Sequence, residues 1–306
     1  KRIIYLIAFF VILTTSYSQW ELLKGPGNNK LVHSVDVNNN DIYITIVNTI
    51  FKSTDLGENW QQLNNQSGLL FNSIYQICKI KDMLFVYTDG GAMDENRGIY
   101  ISTDDGINWQ ENNEGINTHL NLFSQFYKDD ENMYVIYTSQ VYRYNFEKFK
   151  WEEYFKLDTV HTSFRHTIIY HNKLYIGCDA SSKWNLPNLY IYSPNDESVI
   201  SIRDTVNGLD NYNITSFAEK NDKLFMGTSG GLFVSTDEGL TWTKKNNGLR
   251  YEDSTTAYDY GINALYVKGD YIYAITSDGN VAYSRDVGES WQFPDPYKII
   301  KGSWLP

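Results

Sequence analysis

The chain has 306 residues, with 26 lysines and arginines against 37 aspartates and glutamates, for a formal charge of -11. That sign excludes a nucleic-acid backbone or an anionic bilayer as the main partner, because both are held by basic surface. With 42% apolar and 21% charged residues, the composition is that of a folded globular chain.

The first feature in chain order is Lys1-Arg2, followed by an apolar run from Ile3 to Leu13 and the small, polar stretch Thr14 to Ser18. This is the layout of a secretory signal peptide over residues 1–18, with cleavage expected near Ser18-Gln19. Eleven apolar residues are too few to span a bilayer as a helix, so the expectation is export to a periplasmic or extracellular space without membrane insertion. Cys78 and Cys178 lie too far apart in sequence to form a disulfide framework and are expected to be buried thiols. Zinc-type Cys/His spacing is absent, and no metal or other cofactor is expected.

From His33 onward the chain alternates polar turns with short strands of period-two hydrophobicity, each carrying one aromatic: Tyr43, Phe85, Tyr134, Tyr175, Phe225 and Tyr273. A sustained helical period appears nowhere. Between these strands the pattern S-x-D-x-G-x-x-W recurs. It is carried first by Ser53, Asp55, Gly57 and Trp60, then by Ser102, Asp104, Gly106 and Trp109. Its third copy has Ser235, Asp237, Gly239 and Trp242, and its fourth Ser284, Asp286, Gly288 and Trp291. Weaker copies run from Tyr144 to Trp151 and from Ser193 to Ile200, so the starts fall at 53, 102, 144, 193, 235 and 284. Steps that alternate between 49 and 42 residues predict one four-stranded unit each.

This motif resembles the Asp-box, or bacterial neuraminidase repeat. The resemblance implies an all-β fold, a single six-bladed β-propeller over residues 19–306. One segment leaves an alternative: Trp20-Glu21-Leu22-Leu23 is similar to Trp60-Gln61-Gln62-Leu63. It either closes the ring on the last blade or is the remnant of a seventh blade in a truncated chain. In each box the aspartate is expected to accept backbone N–H bonds across a hairpin turn, the glycine to supply a positive φ, and the tryptophan to pack between sheets. The boxes are therefore read as fold determinants, and the resemblance places them on the face opposite the ligand.

Spacing between the strand aromatics and the boxes locates three insertions, Asp89 to Gly98, Cys178 to Asn188 and Arg250 to Gly261. All three fall on the face away from the boxes, where loop variation carries function. The expected ligand-binding residues are Arg97, Arg165, Asp179, Trp184, Arg250 and Tyr251. Carboxylates, arginines and aromatic rings together suit a glycan, and equally a protein partner. Sialidases are the best-known owners of the box, but their F/Y-R-I-P arginine motif is missing, and no arginine lies between Gln19 and Tyr43. A glycoside hydrolase is the runner-up reading, with Glu252, Tyr258 and Asp89 as the residues that would have to carry its chemistry. The preferred reading is a non-catalytic, exported interaction module.

Overall fold

The computed structural model describes residues 25–26, 32–46, 48–63, 74–88, 98–116, 123–137, 139–157, 164–178, 187–202, 212–252 and 257–294. The expected leader and the Trp20 to Leu23 segment lie outside the described residues.

Among the described residues all regular structure is β, arranged as a six-bladed propeller in which each blade is an antiparallel meander. Blade one comprises β1 (Val32–Asn38), β2 (Asp41–Ile46), β3 (Thr49–Ser53) and β4 (Gln61–Gln62). Blade two has β5 (Ile74–Ile80), β6 (Met83–Thr88), β7 (Gly98–Ser102) and β8 (Gln110–Glu111). Blade three has β9 (Phe123–Lys128), β10 (Met133–Tyr137), β11 (Gln140–Asn145) and β12 (Lys150–Lys156). Blade four has β13 (Phe164–Tyr170), β14 (Lys173–Cys178), β15 (Leu189–Ser193) and β16 (Ser198–Ile202). Blade five has β17 (Ile214–Lys220), β18 (Lys223–Thr228), β19 (Gly231–Ser235) and β20 (Thr243–Lys244). A separate hairpin, β21 (Arg250–Glu252) with β22 (Ala257–Asp259), precedes blade six. That blade has β23 (Ile262–Lys268), β24 (Tyr271–Thr276) and β25 (Val281–Ser284), with Gln292 bridging Tyr283 in place of a fourth strand.

The first strands β1, β5, β9, β13, β17 and β23 pack on one another in succession, which makes them the inner strands of the ring. Their inner edges would leave backbone groups unpaired, and polar side chains of neighbouring blades cap several of them. Ser34 accepts from the Ile77 N–H, and Asp36 from the Lys79 N–H. The Gln76 amide both accepts from the Phe126 N–H at 2.7 Å and donates to the Phe126 carbonyl. The Tyr127 hydroxyl accepts from the Ile169 N–H, and Thr215 donates to the Ile262 carbonyl.

The core sits between blades. The six strand aromatics are 0 to 6% exposed. Phe85 lies edge-on to Phe126, Tyr144, Phe146 and Trp151, with ring centroids 5.0 to 6.5 Å apart.

In the four strong boxes the motif serine donates to the aspartate and accepts from the glycine N–H, each at 2.8 Å. The second carboxylate oxygen is held by the residue before the tryptophan, which is Asn59, Asn108, Thr241 or Ser290. The residue before each glycine, Leu56, Asp105, Glu238 or Val287, is also at positive φ, between 58 and 60°. The two weaker copies have no such knot. They are plain hairpins in which Asn145 pairs with Lys150 and Ser193 with Ser198, and their outer strands therefore stay paired over five to seven residues.

Candidate functional site

Two faces of the ring differ in construction. On the first, turns between the first and second strands lie beside the boxes of the next blade. A depression of about 590 Å³ opens there between blades one and two, lined by Asn38 to Asp41, Lys52, Lys79, Lys81 and Asp105 among others. Its central charges face one another. Lys52 contacts Asp41 at 2.9 Å and Asp105 at 2.5 Å, Lys79 reaches Asp105 at 3.4 Å, and the Tyr43 hydroxyl donates to Asp105 at 3.0 Å. Burial pushes the Tyr43 hydroxyl well above its ordinary range. Burial alone would raise Asp105 too, but Lys52 and Tyr43 hold its carboxyl below the usual value. A cleft whose ammonium groups already face carboxylates of both blades is a weld between them.

The opposite face carries the turns between second and third strands and the connections between blades. The Ser229 N–H donates to the Asn213 carbonyl at 2.9 Å, and the Ser277 N–H to the Gly261 carbonyl at 2.7 Å, so turn and connection lie side by side. Every inner strand enters its blade from this face with a β-bulge, at His33, Tyr75, Ser124, Arg165, Thr215 and Asn263. A bulge re-aims one side chain out of the alternating pattern. It accounts for the exposure of His33, Tyr75, Arg165 and Asn263 near the starts of their strands, of which β5 and β13 are otherwise mostly buried. His33 and Tyr75 meet edge to face across blades one and two, 6.0 Å between centroids.

Of the residues expected to bind, Arg165 is the bulge residue of β13. Arg250 opens the hairpin, opposite Asp259, with Tyr251 opposite Tyr258 and Glu252 opposite Ala257. The long connections of blades two and four fall between β6 and β7 and between β14 and β15. Asp89, Arg97, Asp179 and Trp184 on them lie outside the described residues.

The hairpin is tied to blade five and to the chain after the last box. Lys244 meets Asp259 at 2.7 Å and lies over the Tyr212 ring at 5.4 Å. Tyr260 meets Phe293 edge to face at 5.8 Å. Burial would raise Asp259, but the Lys244 ammonium, then the Asn246 amide and last the Arg250 charge keep its carboxyl below the ordinary value. Asp259 is thereby committed to anchoring. Tyr212 and Lys244 went unnoticed in the sequence because one sits in a connection without pattern and the other follows a box like any strand residue. The bulge residues carry a weak signal, an extra residue just before each alternating run.

A family model, the BNR/Asp-box repeat, matches residues 100–111. No curated protein matches the chain. Among solved structures, the chain is similar to YCF48 from Cyanidioschyzon merolae, at 16% identity and a TM-score of 0.63, covering 92% of this chain and 89% of that one. A YCF48 bound to D1 peptide is similar at 15% identity and a TM-score of 0.60, with 85% and 80% covered. PorZ, a surface component of the type-IX secretion system of Porphyromonas gingivalis, gives 14% identity and a TM-score of 0.64 over 89% of this chain and 42% of its own. The extracellular domain of the sensor BT4673 from B. thetaiotaomicron gives 15% and 0.61, and the chain spans about a third of its length, 34%. At these identities the likeness is one of fold.

Proposed function

We propose that this Asp-box β-propeller is an exported, non-catalytic binding module whose ligand sits on the face opposite the boxes, over the inner-strand bulges and the β21–β22 hairpin. The observation that carries the reading is the bulge repeated at the same point of every inner strand on one face, which leaves His33, Tyr75, Arg165 and Asn263 exposed there. His33, Tyr75 and Arg165 supply aromatic and cationic anchors there, and Arg250 opens the hairpin that follows blade five. A protein segment is the favoured ligand, because a propeller of this fold has been solved with a peptide bound and others are sensor ectodomains or secretion-system surface components. A glycan is the second reading, supported by Trp184, Tyr251 and Tyr258 among carboxylates. The leader-like residues 1–18 support export.

The test probes peptide and glycan arrays, and a fluorogenic glycoside panel, with the chain from Gln19 onward. Saturable binding that falls at least tenfold in Tyr75→Ala or Arg165→Ala, and is unchanged in the box variant Asp104→Ala, is the expected result. Turnover that disappears in Glu252→Gln would make the protein a glycoside hydrolase and overturn the proposal.

A further inference from the structure

The outer edge of the ring carries a second kind of surface. In the box-bearing blades the fourth strand is almost nothing: two residues in β4, β8 and β20, and a single bridge at Gln292. The box knot occupies the residues that would otherwise pair, so among the described residues these blades offer no edge long enough to template another strand. Blade three, without a true box, has the seven-residue β12, but Lys150, Glu152, Glu153 and Lys156 guard it. Charges of that density are how natural sheets discourage strand addition.

Blade four is the exception. Its strand β16 reads Ser-Val-Ile-Ser-Ile and contains no charge, proline or glycine. It is the terminal strand of its sheet. Four of its five residues are exposed, with Val199 at 43% and Ile200 at 40%. In the alternation of a strand these two point to opposite faces, so the edge is apolar on both sides. The acidic pair Asp196-Glu197 sits exposed in the hairpin turn at one end.

The geometry points to β16 as a strand-addition site for an extended segment of a partner protein. The segment would be rich in β-branched residues, with a basic residue beside the Asp196-Glu197 turn. Main-chain hydrogen bonds to the edge would supply affinity, and packing on Val199 and Ile200 would supply preference. A second copy of the chain fits less well. A five-residue edge on the rim of a ring buries far less than the roughly 1,200 Å² of a stable interface. This site is independent of the ligand face proposed above.

The probe is a synthetic peptide of alternating valine and threonine flanked by lysines. Its controls are the same peptide flanked by glutamates and one with proline at every second position. Hydrogen exchange on the whole chain is expected to show protection of residues 198–202 with the lysine peptide. Binding should weaken at least threefold with the glutamate peptide and be lost with the proline peptide. Ile200→Lys and Val199→Lys should each weaken binding at least tenfold at an unchanged melting temperature, since both side chains are exposed. Equal affinity for the proline peptide, protection elsewhere than β16, or no binding would overturn the proposal. A concentration-dependent dimer abolished by Ile200→Lys would assign the edge to a second copy and overturn the choice of occupant.

Discussion

Gly115→Ala is the sharpest probe of how the blades are joined. Gly115 lies in the connection from blade two to blade three at φ 92°, and a Cβ there would stand 1.9 Å from the Trp151 carbonyl oxygen. That carbonyl cannot swing away. The same tryptophan donates its backbone N–H to the Glu114 carbonyl at 2.9 Å and its indole N–H to the Asn112 carbonyl at 3.1 Å. Gly248 repeats the arrangement three blades on, 2.1 Å from the Trp291 carbonyl at φ 88°. Gly269 is the control, at φ 54° but in open space. Alanine at Gly269 carries the left-handed conformational cost alone, about 1 to 2 kcal/mol. At Gly115 or Gly248 the backbone overlap adds roughly 1 to 3 kcal/mol more. By calorimetry the two crowded variants should melt about 2 to 12 °C below Gly269→Ala, at about 2 to 4 °C per kcal/mol in proteins approaching this size. Equal melting temperatures for Gly115→Ala and Gly269→Ala would refute the close approach of connection and tryptophan.

Phe85→Ala should cost about 3 to 5 kcal/mol in denaturant unfolding, since its ring is fully buried among four other aromatics. Gln76→Ala leaves both backbone groups of Phe126 without their partner and should cost about 1 to 3 kcal/mol, read as an earlier urea midpoint. The Ser290 hydroxyl holds the Asp286 carboxyl at about 2, with the Ser290 N–H and Ser284 assisting. Its stabilisation is therefore present above the ordinary value of 3.8 and lost as pH falls toward 2, so the stability gap between wild type and Asp286→Asn should close over that window in acid titrations. Lys244→Ala should speed hydrogen exchange across the β21–β22 hairpin while lowering stability by less than about 1 kcal/mol, because the Lys244–Asp259 pair is partly exposed.

Much of the fold was legible in the chain because each blade is a local object. A meander of short strands records itself as alternation, turn residues and a repeated box within some fifty residues, so the six aromatics and four boxes stand where the spacing put them. The weak copies keep the period of the box but few of its residues, Trp151 in one and Ser193 with Asn195 in the other. Without the serine–aspartate–glycine set they fold as ordinary hairpins, which is why blade four ends in an unguarded edge. Of the candidate site, the hairpin residues from Arg250 and the bulge residue Arg165 could be picked out by insertion and charge. His33, Tyr75, Tyr212 and Lys244 could not, since each acquires its meaning from a neighbour in another blade or connection.

The amino-acid sequence by itself determined the six repeats, the strand order within each and the chemistry of the box, all of which rest on hydrogen bonds and packing between residues close in the chain. Only the tertiary structure decided which charges are matched, as Lys52 is by Asp105 across 53 positions and Lys128 by Asp36 across 92. It also decided which inner edges are capped and which residues the bulges turn out. Blades meet through partners far apart in sequence, and the energy of such a contact depends on the distance between two surfaces, which no local pattern records.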